Sequence, residues 1–260
     1  MQPNPVRELL KAGKPTVGCF LGLGSPTVAE LLGHVGFDWL VIETEHNAVD
    51  TADVQQMLMA IAGTRAVPIV RVPSVDRLAV QRALDLGALG VLVPMVRSAA
   101  DVEEIVLATR FPPAGTRGFG PLRASRYGLD NRDYLARANE NIITAVIVET
   151  REALAAIEEI VAVPGLDVVF LGLFDLCLAL GLDPLELPLP EIDDAIERVA
   201  AASRAGGVAA GIGAATPDEL NARQRAGFAF VSYGTDYSLL AGAALAGLAT
   251  TAGRSAAELR

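Results

Sequence analysis

Four ionisable residues stand where chemistry needs them. Glu149 and Asp175 each follow a run of apolar residues, 145–148 and 168–171. A carboxylate at the rim of a dry core is costly unless it is paired. Two of them on neighbouring strands suit a hard divalent cation, with water and substrate oxygens filling the remaining positions. Pairing with arginines or helix N-termini is the structural alternative. His46 follows Glu43-Thr44-Glu45 at the end of another apolar run, where a neutral imidazole serves as a general base near pH 7. Asp85 is a candidate to orient it; an ordinary loop histidine is the other reading. Arg71 ends Val67-Pro68-Ile69-Val70 and suits a carboxylate or enolate oxygen, or else a salt bridge to Glu43 or Glu45.

These positions gain meaning from the elements that carry them. Apolar, β-rich runs predict strands over 17–21, 38–42, 67–72, 90–93, 143–148, 167–171, 209–212 and 228–232. Helical spacing separates them at 51–62, 75–86, 99–109, 152–161, 192–205 and 217–226. Eight strands alternating with helices over about 250 residues predict a single-domain α/β fold, the (β/α)8 TIM barrel. A doubly wound open sheet is the competitor. Gly22-Leu23-Gly24-Ser25-Pro26 does not complete a Gly-x-Gly-x-x-Gly turn, which removes the main dinucleotide argument. In a barrel the strand ends carry the chemistry, and Glu43–His46, Arg71, Pro94-Met95, Glu149 and Gly172–Asp175 all fall there. Two stretches break the rhythm. Residues 111–134 are rich in Gly, Pro and Arg, including Arg117, Arg123, Arg126 and Arg132, and are expected as a long βα loop over the active site. Residues 182–190 form a second loop.

Composition bounds the partners. The 260 residues, 52% hydrophobic and 20% charged, support one sizeable core. Lys+Arg 21 against Asp+Glu 31 gives a net charge of −10, which argues against nucleic acid and anionic membrane surfaces. Cys19 and Cys177 are too few for a disulfide scaffold or a cysteine zinc site. The first residues lack the basic-then-apolar order of an export signal, so a reduced, cytoplasmic protein is expected. The Ala/Gly-rich segment 235–253 is expected as a buried C-terminal helix rather than a membrane span, because it falls short of the ~20 strongly apolar residues a span needs.

Several motifs occur together in one order. They are Gly36-Phe37-Asp38-Trp39-Leu40, Glu45-His46, Arg71-Val72-Pro73, Leu84-Asp85-Leu86-Gly87-Ala88 and Leu92-Val93-Pro94-Met95-Val96. Thr109-Arg110-Phe111-Pro112-Pro113, Gly115-Thr116-Arg117-Gly118, Val148-Glu149-Thr150 and Asp175-Leu176 follow. From about residue 18 to 246 the chain thereby resembles the HpcH/HpaI aldolases, class II pyruvate aldolases on a (β/α)8 barrel. The resemblance implies Glu149 and Asp175 as ligands of Mg2+, Mn2+ or Co2+, His46 as the base oriented by Asp85, and Arg71 as the stabiliser of an enolate. It implies the backbone around Gly172 and Asp175 as a carboxylate cradle, and Arg123 as a residue reaching the aldehyde end, in its own or a neighbouring subunit. The implied reaction is cleavage of a 4-hydroxy-2-oxoacid to pyruvate and an aldehyde, in a homo-oligomer built as a trimer of dimers, with the helix over 235–253 packing on a neighbouring subunit. No lysine ends an expected strand, which argues against a Schiff-base aldolase.

The departures from that family pattern concern the pocket walls. Glu43 stands where Asp is usual, Leu173-Phe174 replace a segment with Pro, and Cys177 replaces a frequent Ser. Gly213 stands for a larger apolar residue and Tyr233 for a small aliphatic one. Phe174 is expected to narrow the donor side and Gly213 to widen the acceptor side; burial of Phe174 in the helix layer is the packing alternative. The competing activities are an oxaloacetate decarboxylase, a CoA-ester lyase, or a ligand-binding barrel without turnover.

Overall fold

Helix starts are written into the sequence as capping residues, and they set where each helix leaves the strand before it. The structure, a computed structural model, describes residues 3–251. It opens with α1 (Pro5–Lys11), β1 (Thr16–Leu21), α2 (Pro26–Val35), β2 (Trp39–Glu43), α3 (Thr51–Ile61) and β3 (Val67–Arg71). Next come α4 (Arg77–Asp85), β4 (Gly90–Val93), α5 (Ala99–Thr109), α6 (Asn131–Asn141) and β5 (Ile143–Val148). Then follow α7 (Arg151–Ala155), α8 (Ile157–Val161), β6 (Val168–Leu171), α9 (Leu173–Leu180) and α10 (Pro190–Gly206). β7 (Ala209–Ala214), α11 (Pro217–Arg225), β8 (Phe230–Thr235) and α12 (Asp236–Thr251) complete it. Ser25, Asp50, Asp76, Ser98, Thr150 and Thr216 each accept a first-turn N–H of the helix they precede. Such a cap is worth about 1 kcal/mol.

The eight strands form one closed parallel barrel in chain order, β8 returning to β1. Alternate residues point inward, and the interior is filled by Trp39, Val41, Ile69, Leu92, Ile147, Phe170 and Phe230, with Val6 of α1 packed against them. The packing interlocks large against absent side chains. Trp39 and Phe230 stack with ring centroids 3.8 Å apart. A Cβ on Gly18 would fall inside the Trp39 ring, and one on Gly211 would lie 2.8 Å from the Phe170 ring. The opposite parity, with Leu40, Ile42, Val70, Val91, Val146 and Val169, packs under the helices. Each such fully buried side chain contributes roughly 1.5–3 kcal/mol.

The barrel expectation holds, with local corrections. β8 begins at Phe230 rather than 228, because Gly227 (φ +99) still turns the chain out of α11. The helix expected over 152–161 is broken at Ala156 into α7 and α8. The larger correction concerns 111–134. Residues 131–134 of this stretch are the first turn of α6, and loop and α6 together join a helix, α5, to a strand, β5, so this is an αβ connection on the face where strands begin, opposite the strand ends. Ala124 N–H donates to Asp85 O at the end of α4, which anchors the stretch there. It does not roof the active site of its own chain.

α12 covers 236–251 of the expected segment 235–253; Thr235 still belongs to β8, and 252–253 lie outside the described residues. Its side chains are mostly exposed, Leu240 and Leu248 among them. Among the described residues no helix is long and apolar enough to cross a membrane.

Candidate active site

The inward parity of β2, β3 and β5 carries Glu43, Arg71 and Glu149 to the top of the barrel interior, one layer above Val41, Ile69 and Ile147. Arg71, only 9% exposed, is the centre of the site. Its Nη1 lies 3.0 Å from Glu43 Oε2 and its Nη2 3.7 Å from Glu149 Oε2; Nη2 also contacts Glu45 Oε2. The salt bridges to Glu43 and Glu45 are therefore real, and Arg71 faces the mouth as well. Glu43 does a second job: its Oε1 accepts the N–H of Glu45 (2.6 Å) and of His46 (3.3 Å). The longer side chain at this position thus ties the histidine loop to Arg71.

Glu149 is 2% exposed and accepts one hydrogen bond, from Met95 N–H at 2.7 Å. Burial pushes its carboxyl up to about 7, against the Met95 N–H and Arg71, which favour the anion; Glu45 and Asp175 push it further up. The Glu45 carboxyl is raised as well, chiefly by burial. Two local features hold Glu149 in place. A Cβ on Gly172 would lie 2.6 Å from its Oε2, so glycine is required there. Met95 adopts φ +57, rare for a residue with a side chain, and that conformation aims its N–H. Met95 carries no sequence signal for this role, because a strained φ has no compositional signature.

His46 is open, its side chain 58% exposed, with Nε2 3.4 Å from Glu45 Oε2. The expected partner, Asp85, is elsewhere. It ends α4, on the far face, where its Oδ1 takes Arg117 Nη2 at 2.7 Å. Within one chain Glu45, not Asp85, stands beside His46. Arg123 departs from expectation in the same way. Its Nη1 donates to Leu86 O (2.6 Å) and its Nη2 to Leu58 O (3.1 Å), satisfying carbonyls at the ends of α3 and α4. It has no place in the mouth of its own chain.

Asp175 lies in the first turn of α9, whose N-cap, Gly172, supplies no side-chain hydrogen bond. First-turn N–H groups are thereby left to other acceptors. Phe174 is 62% exposed, so it does not fill the helix layer. Cys177 is on the buried side of α9. A Cβ on Gly213 would meet only Ser232 Oγ, at 3.5 Å, which leaves open space on that wall.

Among the described residues no group of three or more His, Cys, Asp or Glu forms a metal cage. The charge balance still fits a divalent cation. Glu43, Glu45, Glu149 and Asp175 act on one another around a single guanidinium and one imidazole. That surplus of negative charge suits a divalent cation at the mouth. Both lysines, Lys11 and Lys14, precede β1 and lie away from the mouth.

Fold and site together define an enzyme of the (β/α)8 class, with carboxylates, an arginine and a histidine at the strand ends. The sequence model of the HpcH/HpaI aldolase/citrate lyase family matches residues 16–243, and the chain belongs to that family. A 4-hydroxy-2-oxo-heptane-1,7-dioate aldolase of Shigella sonnei (strain Ss046) is 41% identical over 247 residues, 93% of this chain and 92% of the relative. An HpcH/HpaI aldolase/citrate lyase family protein from Burkholderia cenocepacia J2315 superposes with a TM-score of 0.90 at 36% identity, covering 94% and 98% of the two chains. An HpcH/HpaI aldolase from Desulfitobacterium hafniense DCB-2 gives 0.87 at 28% identity, covering 94% and 95%. The protein is a lyase of the aldolase type.

Proposed function

We propose that the protein cleaves a 4-hydroxy-2-oxoacid into pyruvate and an aldehyde, with a divalent cation (Mg2+, Mn2+ or Co2+) held by Glu149 and Asp175. The observation that carries this reading is a buried arginine ringed by carboxylates at the barrel mouth, beside a solvent-open histidine. Arg71, fixed by Glu43 and Glu45, aims its guanidinium at the oxygen on which charge collects as the C3–C4 bond breaks. His46 takes the 4-hydroxyl proton; C4 leaves as the aldehyde carbon and the bonding pair stays on the pyruvate fragment. The cation supplies a Lewis acid for that charge. The first turn of α9, uncapped at Gly172, receives the oxoacid carboxylate.

Substrate preference follows from the walls. The Shigella sonnei relative is named for a dicarboxylate, the heptane-1,7-dioate, and a second carboxylate needs a cation on the acceptor side. Gly213 and Ser232 offer space there and no charge, so bulky uncharged aldehydes are the expected partners, with pyruvate the largest donor used well. The test is pyruvate release from 4-hydroxy-2-oxoacids of both kinds with each metal, together with deuterium exchange at the pyruvate methyl. Absence of exchange with all three metals would sink the aldolase reading.

Assembly belongs to the same proposal. α12 exposes an apolar surface, and Asp85 lies across the barrel from His46. Both acquire roles against another copy, α12 by docking and Asp85 by entering a neighbour's mouth, in a trimer of dimers. The reading places the protein in the cytoplasm.

A further inference from the structure

Asp236 follows β8 directly and opens α12, and the residue is 4% exposed. Among the described residues it has no cationic partner. Instead it accepts three backbone N–H groups: Gly22 at 2.9 Å, Leu23 at 3.1 Å and its own neighbour Tyr237 at 2.8 Å. A buried carboxylate fully occupied by backbone donors is a fastener, since charge-assisted bonds of this kind are about twice as strong as neutral ones.

What it fastens is the first turn after β1, at the barrel mouth. That turn abuts the loop carrying His46. A methyl on Gly22 would lie 2.8 Å from Asn47 Nδ2 and 3.0 Å from Tyr237 Cε1; a Cβ on Gly24 (φ +63) would lie 3.5 Å from Val49 Cγ2. The His46 loop is thus bounded on two sides. From inside, Glu43 holds the N–H groups of Glu45 and His46. From outside, the Gly22 turn lies close against Asn47, with no room for a side chain at Gly22 unless Asn47 moves.

We infer that Asp236 is a positioning residue for His46, acting through the Gly22 turn and Asn47. The inference rests on the reading of His46 as the base, and it deepens that reading. Asp236→Asn turns one oxygen into an N–H donor facing a backbone N–H, which releases Gly22 or Leu23. Gly22→Ala disturbs the same contact from the other side and leaves the carboxylate intact.

Both variants are compared with the parent by turnover and by NMR of labelled histidines. His46 and His34 are the chain's two histidines, and His34, exposed in the last turn of α2, is an internal control. A displacement on the order of 1 Å costs up to 10²-fold, so kcat is expected to fall roughly 10–100-fold with the KM for the oxoacid little changed. The His46 ring signals move and those of His34 stay. Folded variants with the parent's His46 signals and kcat would overturn the inference. The NMR arm is independent of activity: if His46→Ala retains turnover, the base assignment fails, while a moved His46 signal still upholds the Asp236 contact.

Discussion

Glu149 brings a buried acid into the range around neutral pH. Its carboxyl titrates near 7 in the folded chain instead of 4.5, because burial penalises the anion. A raised acid favours folding below its unfolded value, and that stability is lost as pH rises through about 7. The shift corresponds to roughly 3 kcal/mol. Metal-free Glu149→Gln protein is therefore expected to be more stable than the parent at pH 8, with the difference gone below pH 4.5; thermal unfolding at the two pH values measures it. With metal the same variant, and Asp175→Asn, lose activity while staying folded. Full activity of either after chelation and metal add-back would contradict the ligand assignment. His46→Ala is expected to lose about 10²–10⁴-fold in rate while metal content by elemental analysis is unchanged. That Arg71, Glu149 and His46 gather at one barrel mouth was legible, because each follows an apolar run that forms a parallel strand. Their exact partners were not: Glu45 beside His46, and Met95 donating to Glu149, depend on backbone angles that no spacing encodes.

Most strands were read from sequence to within a residue or two, β8 being displaced by two to three, since a run buried on both faces leaves a continuous apolar signature, as in Ile143–Val148. The connections were less legible. The order of elements already puts 111–134 after a helix and before a strand, on the far face, yet its glycines and arginines have the composition of an active-site lid. α6, with Tyr134 and Ala138 as its buried residues, has too little apolar surface to announce a helix. For α9 the structure gives a sharper expectation than the sequence. Phe174 is exposed, so Phe174→Ala should change stability within about 0.5 kcal/mol, as surface substitutions do. Its effect belongs to catalysis instead: use of 2-oxobutyrate relative to pyruvate should rise. An unaltered donor ratio would remove Phe174 from the pocket wall.

At the scale of the whole molecule the two barrel faces divide the labour. His46, Arg71 and Glu149 crown one; Asp85, Arg117 and Arg123 lie on the other, with Phe119, Leu122, Tyr127 and Leu129 exposed around them. In the assembly proposed above, that apolar surround is the contact surface. If Asp85 completes a neighbour's site, His46→Ala and Asp85→Ala proteins, each inactive, should regain activity when unfolded together and reassembled. Sites pairing an intact His46 with another copy's Asp85 would then exist. Lack of recovery in hetero-assembled protein would confine each site to one chain. Light scattering at micromolar concentration checks the assembly itself, and a monomer would refute it.

The interlocked interior has a consequence for anyone altering this barrel. Gly18 and Trp39 share one volume, as do Gly211 and the Phe170 ring. Neither partner is free to vary alone: a side chain at Gly18 collides with the indole, and a smaller residue at Trp39 leaves a void beside Phe230, costing ~3–5 kcal/mol. A library that randomises these positions singly therefore samples losses only. One that randomises the pairs together can carry bulk from one strand to the next and reshape the floor beneath the catalytic layer.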